Sequence, residues 1–192
     1  SSGKVYTSTD LWNWKYNSTD IGWECPDMYQ IKVEGTELTI KGISAARESL
    51  KDMSELHVGE SGLLTRMMIP LMSQLSGKPV QFTGEKTLLG RPLTGAKDIM
   101  DAFEAEICPE AGNESDGAVS VPLKVQGPLK AGRAEISGKH GSQLISGLLM
   151  ALPFAEKNSS LIVHEPKSIP YMFITLEVLK KFGIKTGNEM LG

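Results

Sequence analysis

Two stretches of the chain are apolar at nearly every helical position, and each is followed by a stretch that is apolar on one face only. Leu63, Leu64, Met67, Met68, Ile69, Leu71, Met72 and Leu75 leave few polar sites in the first. Leu144, Ile145, Leu148, Leu149, Met150, Leu152 and Phe154 do the same in the second. Helices with that pattern are expected to be buried on all sides. Ile99, Met100 and Phe103 among Lys97, Asp98, Asp101 and Glu104 predict a helix with one wet face, as do Leu176, Leu179 and Phe182 among Glu177, Lys180 and Lys181. Pro70 and Pro153 fall inside the apolar stretches and are expected to kink or end them.

The pattern is a repeat, since its landmarks recur at a nearly constant offset. Gly62 and Gly141, Pro92 and Pro170, Phe103 and Phe182 are 79, 78 and 79 residues apart. Each copy opens at a glycine motif, Gly59-Glu60-Ser61-Gly62 or Gly138-Lys139-His140-Gly141. Each then runs through an apolar helix, a short strand (Val80-Gln81-Phe82 or Leu161-Ile162-Val163), a polar loop and an amphipathic helix. Ala118–Gln126 and Ala134–Ile136 alternate as strands about a Gly127-Pro128 turn, and Gln30–Val33 and Glu37–Ile40 flank Glu34-Gly35-Thr36 as a hairpin. The expected organisation is one domain over residues 30–192, with units at about 56–130 and 134–192, behind a segment 1–29 that does not fit the repeat.

Composition narrows the class. Hydrophobic residues are 40% and charged residues 22% of the 192, as in globular domains. The net charge of -3 with scattered cations predicts neither nucleic-acid binding nor membrane association. Cys25 and Cys108 are isolated, with no disulfide or zinc-ligand spacing, and no metal site is expected. The apolar run Gly147–Ala155 is about half of the ~20 residues a bilayer span needs, and a cytoplasmic protein is expected.

Chemistry is expected where the apolar helices begin. A glycine turn before a helix directs unpaired N–H groups and the positive end of the helix dipole toward the loops, an arrangement that binds anions. Arg66 lies one turn into the first apolar helix and needs either an acidic partner, Glu60 or Glu85, or an anionic ligand. Arg91 could offer its fork to a carboxylate or sit on the surface. Ser142 and Gln143 open the second apolar helix, where they could contact a phosphate or, for Ser142, cap the helix. Ser168-Ile169-Pro170-Tyr171 occupies the place of Gly90-Arg91-Pro92-Leu93 in the other copy. His57, His140 and His164 have no metal spacing and are expected to be structural or solvent-exposed.

Four ordered motifs carry a resemblance to the enolpyruvyl transferases, and among them to the 5-enolpyruvylshikimate-3-phosphate synthase family. Gly59-Glu60-Ser61-Gly62-Leu63-Leu64-Thr65-Arg66 resembles that family's Gly-Asn-Ala-Gly-Thr-x-x-Arg. Thr83-Gly84-Glu85 with Gly90-Arg91-Pro92-Leu93 resembles its Thr-Gly-Glu to Arg-Pro-Ile segment. Gly141-Ser142-Gln143 with Leu148-Leu149-Met150-Ala151 resembles its Ser-Ser-Gln helix, and Ser168-Ile169-Pro170-Tyr171 with Phe182-Gly183 resembles its Ser-Lys-Pro-Tyr segment.

The resemblance implies an α/β inside-out barrel of repeated βαβαββ units, with helices inside and sheets outside. It implies transfer of the enolpyruvyl group of phosphoenolpyruvate to shikimate 3-phosphate with no organic cofactor. Gly62 and Arg91 would contact phosphoenolpyruvate, Gln143 would lie between the substrates, and Ser142, Ser168 and Tyr171 would hold shikimate 3-phosphate. Arg66 matches the family arginine on the helix of the glycine motif.

Departures shape the expectation. Glu60 stands for Asn, Gly141 for the first of two serines and Ile169 for lysine, and the family's amino-terminal Lys-Ser motif and second-domain acid and lysine residues have no counterpart. The chain is therefore expected to be a fragment that binds substrate without its own catalytic residues, partnered by a second domain of the same enzyme. The related transferase acting on UDP-N-acetylglucosamine and a non-catalytic binding module are the alternatives.

Overall fold

The computed structural model describes residues 50–188 in full and the backbone of four short strands ahead of them. These are β1 (Tyr6–Thr7), β2 (Lys15–Tyr16), β3 (Ile31–Glu34) and β4 (Glu37–Ile40). β1 pairs antiparallel with β2, and β3 with β4, Glu34 opposite Glu37 as the hairpin reading expects. Trp12, Trp14, Trp23 and Cys25 lie outside the described residues.

The first unit is β5 (Glu55–His57), α1 (Gly62–Leu75), β6 (Val80–Thr83), α2 (Ala96–Ala102) and β7 (Glu106–Pro109). After a two-strand turn, β8 (Glu114–Ser115) and β9 (Ala118–Val119), it is completed by β10 (Leu123–Gln126). The strands form one sheet in the order β5-β6-β10-β7, with β5 parallel to β6 and β10 antiparallel to both its neighbours. β11 (Arg133–Ser137), α3 (Gln143–Ala151), β12 (Ser160–His164) and α4 (Ile169–Lys181) follow the same order as β5, α1, β6 and α2, and β11 pairs parallel with β12. A parallel pair requires a crossover, and each crossover is an apolar helix.

Alternation explains which sheet face is covered. Val80 and Phe82 on β6, with Leu123 and Val125 on β10, are buried, while Lys124 and Gln126 face water. They join Ile69 and Met72 of α1, Met100 of α2 and Ile145 and Leu148 of α3 in one core. α1 packs against α3 so closely that a Cβ on Gly147 would lie 2.3 Å from the Met67 carbonyl oxygen. Backbone thus meets backbone there, and only glycine fits.

Two expectations about the helices need correction and one is narrowed. α1 is not buried on all sides: Leu63 is 42% exposed, and Arg66 and Met67 are half-buried, because these three border a cavity. Of the two outcomes expected at Pro70, a kink or an end, the end does not occur: α1 runs on to Leu75. Pro70 forfeits one backbone bond, and burial of Ile69 and Met72 on either side of it holds the turn together. Pro153 behaves as expected, sitting in the 3₁₀ turn Leu152–Phe154 that closes α3. On α4 the expected apolar face is only partly covered: Met172 is buried, Leu176 and Leu179 are half-buried, and Phe182 is 83% exposed, no described element packing over it. No described helix is long and apolar enough to cross a membrane.

Candidate functional site

The starts of α1, α3 and α4 and the loop holding Arg91 surround one cavity of about 680 Å³. Local sequence puts each helix start there. Ser61 accepts a hydrogen bond from the Leu64 N–H at 3.1 Å and caps α1, leaving Gly62 as its first residue. Gly141, at φ 103°, turns the chain into α3, a left-handed conformation that favours glycine; the missing serine hydroxyl at this position therefore has a backbone reason. Ser142 precedes α3 without making a side-chain cap bond, so its buried hydroxyl is not consumed by capping. Ser168 enters α4 at φ 57°, an uncommon conformation for a residue with a Cβ, and also makes no side-chain cap bond.

Six of the seven residues singled out in the sequence line the cavity: Arg66, Arg91, Ser142, Gln143, Ser168 and Tyr171. The seventh, Gly62, does not line it but lies against both arginines. A Cβ there would lie 2.9 Å from Arg66 Nη1 and 3.3 Å from Arg91 Nη1. Among the described residues no carboxylate lines the cavity.

Neither acid offered as a partner for Arg66 reaches it. Glu60 pairs with Lys86 at 3.0 Å, and Glu85 lies 3.2 Å from His57 Nε2. Arg66 instead donates through Nη1 to the Gly62 carbonyl at 3.0 Å and through Nη2 to the Pro92 carbonyl at 2.9 Å. It needs no acid because it is only half-buried and two carbonyl dipoles face it. Burial, and then the positive charge of Arg91, hold Arg66 below its ordinary value, although a guanidinium stays charged. Two cations held together without an anion create a local positive potential at the start of α1.

Sequence reasoning missed two features. His140 is exposed but lines the cavity, and a Cβ on Gly95 would sit 3.1 Å from its ring. His140 immediately precedes the glycine that opens α3, which was the available signal. Ser146 and Thr175 form the other: their hydroxyls are 3.0 Å apart, and Thr175 Oγ1 also donates to the Tyr171 carbonyl at 2.9 Å, fastening the first turn of α4 to α3. Among the described residues no cluster of three or more His, Cys, Asp or Glu gathers where it could hold a metal.

Fold and cavity together define a mixed α/β protein with an arginine-lined pocket at converging helix starts, bordered by no carboxylate among the described residues. The family model for EPSP synthase (3-phosphoshikimate 1-carboxyvinyltransferase) matches residues 27–190. A 3-phosphoshikimate 1-carboxyvinyltransferase from Clostridium acetobutylicum is 38% identical over 140 residues, 72% of this chain and 31% of that protein. One from Methanococcus maripaludis is 35% identical over 133 residues, 68% of this chain and 30% of that protein. The structure of EPSP synthase from Acinetobacter baumannii superposes with a TM-score of 0.62 at 23% identity, over 84% of this chain and 34% of that one. The chain belongs to the EPSP synthase family, and it spans about a third of the length of the relatives it matches.

Proposed function

We propose that this chain supplies the substrate-holding part of one domain of a 3-phosphoshikimate 1-carboxyvinyltransferase, an enzyme that moves the enolpyruvyl group of phosphoenolpyruvate onto shikimate 3-phosphate. The observation that carries this reading is the convergence of Arg66 and Arg91 on Gly62 at a cavity lined by no carboxylate among the described residues. Both substrates are phosphorylated, and such a lining suits a phosphate or carboxylate. In this reading Gly62 and Arg91 contact phosphoenolpyruvate, with Arg66 supporting them, and Gln143 lies between the two substrates. Ser142, Ser168 and Tyr171 hold shikimate 3-phosphate.

Residues 30–192 then belong to one domain, with units at about 56–130 and 134–192 built on an inside-out barrel, apolar helices inward and sheets outward. The strand order, with β10 antiparallel between β6 and β7, and the burial of α3 support that arrangement. Proton transfer to and from the reacting carbon falls to positioned acid and base residues elsewhere in the longer enzyme, which we place in the cytoplasm. Titration of the purified chain with shikimate 3-phosphate, then with phosphoenolpyruvate, tests the reading by calorimetry. Saturable heat that competes with sulfate is expected, and silence at millimolar ligand overturns it.

A further inference from the structure

We propose that Glu60 is a positioning residue for this anion site: its carboxylate clamps the glycine turn before α1 to the 3₁₀ turn that delivers Arg91. The inference rests on the functional reading above and adds a role for a residue that, by charge alone, should oppose it. Glu60 Oε1 lies 3.0 Å from Lys86 Nζ, and Glu60 Oε2 accepts from Thr87 Oγ1 at 2.9 Å. Lys86 and Thr87 begin the 3₁₀ turn Lys86–Leu88, whose last carbonyl accepts the Arg91 N–H at 3.1 Å. Glu60 is therefore two hydrogen-bonded steps from the backbone of Arg91 and two residues from Gly62, the other side of the same contact.

Three observations separate a clamp from an ordinary surface pair, which contributes little. The Glu60 side chain is only 17% exposed, and its two oxygens reach separate partners, Lys86 and Thr87, on the facing loop. Lys86 sits at φ 43°, an uncommon backbone conformation for a residue with a Cβ, and one that persists when surroundings over-determine it. Backbone bonds already join these loops just upstream, from Val58 N–H to the Thr83 carbonyl at 2.9 Å and from Glu85 N–H to the Gly59 carbonyl at 2.8 Å; Glu60 continues that seam toward Arg91. Hydrogen bonds from Lys86 and then Thr87 hold the Glu60 carboxyl below its ordinary value, as an engaged carboxylate requires. Glu60 does not line the cavity, so its charge is spent on Lys86 and not on the ligand.

The test compares the full chain with Glu60→Ala, Glu60→Gln and Lys86→Ala by two readouts. Amide exchange at Arg91 should accelerate about tenfold in Glu60→Ala while amides inside α3 keep their rates. Phosphoenolpyruvate affinity should fall about five- to tenfold in parallel. Glu60→Gln, which keeps an acceptor for Thr87, should recover part of both losses, a rescue that a mere loss of folding would not give. Unchanged exchange at Arg91 in Glu60→Ala overturns the clamp, as does faster exchange with unchanged affinity. If the unaltered chain binds no phosphoenolpyruvate, the functional reading fails, and the exchange result alone decides the clamp.

Discussion

Arg66 and Arg91 meet at Gly62: their Nη1 atoms lie 2.9 and 3.3 Å from the point a Cβ on that glycine would occupy. Both neighbours are far ends of flexible side chains, so an added methyl displaces them without breaking the fold. Gly62 is buried, but the atoms it would meet can move, so Gly62→Ala should cost no more unfolding free energy than the loss of the Arg66 tie, about 1 kcal/mol. Phosphoenolpyruvate affinity should fall at least tenfold. Parallel urea melts and calorimetric titrations check the split, and a large stability loss would show that Gly62 is a packing residue instead.

Arg91 is exposed and its side chain has no hydrogen bond or ion pair among the described residues, whereas Arg66 is tied to two carbonyls. Their substitutions should differ accordingly. Arg91→Ala should cost binding alone, by about 1.5–3 kcal/mol for a lost charge-assisted contact, and Arg91→Lys should recover the charge without the fork. Arg66→Ala should cost binding and also melt earlier, because it unties Gly62 from Pro92. Affinities and thermal midpoints of the three variants separate these roles.

How much of this was legible in the sequence depended on range. Helix starts at Gly62 and Gln143 and the strands at Val80 and Leu161 follow from local pattern and glycine placement, and they lie where the pattern puts them. Partners in space were harder. Glu60 and Glu85 were near Arg66 by motif, yet each found a closer cation or imidazole across the loop, Lys86 or His57. No periodicity encodes that Ser168 takes a positive φ or that His140 turns into the cavity; both depend on how two units pack. The exposed Phe182 shows the same limit, since an apolar helical face records that something covers it but not which element does so.

The pairing of Glu60 and Lys86 predicts a pH window. The Glu60 carboxyl is held below its ordinary 4.5 in the folded chain, so its contribution is complete above 4.5 and is lost as pH falls through the lowered folded value. Lys86 is held above its ordinary 10.5, so its contribution is complete below 10.5 and is lost as pH rises through the raised folded value. The stability difference between the unaltered chain and Glu60→Gln should be flat between these limits and shrink beyond each. Asp52, lowered by Lys78, titrates in the same acid window but is common to both proteins and cancels. A difference that peaks near neutrality would assign the effect to another group.

Ser168 carries opposing demands. Its φ of 57° costs about 1 kcal/mol or more for a residue with a Cβ, and its hydroxyl borders the cavity without capping α4. Ser168→Gly should therefore raise the thermal midpoint while weakening shikimate 3-phosphate binding. Ser168→Ala should weaken binding similarly with no gain in stability. If both variants bind as tightly as the parent, the strained turn serves chain geometry alone.

Gly147 is the opposite of Gly62, because its close neighbour is backbone. A Cβ would stand 2.3 Å from the Met67 carbonyl oxygen and 2.8 Å from Met67 Cα, and no rotamer change can clear either. Gly147→Ala must push α1 from α3, at a cost of about 1–3 kcal/mol for overpacking. The same displacement shifts Ser142 and Gln143 relative to Arg66, since α1 and the start of α3 both line the cavity. The urea midpoint should fall with an unchanged slope, and ligand affinity should fall with it, the reverse of the separation expected at Gly62. Were Gly147→Ala to keep full stability, the two helices would have to pack further apart than they do here, and the shared pocket between their starts would lose its basis.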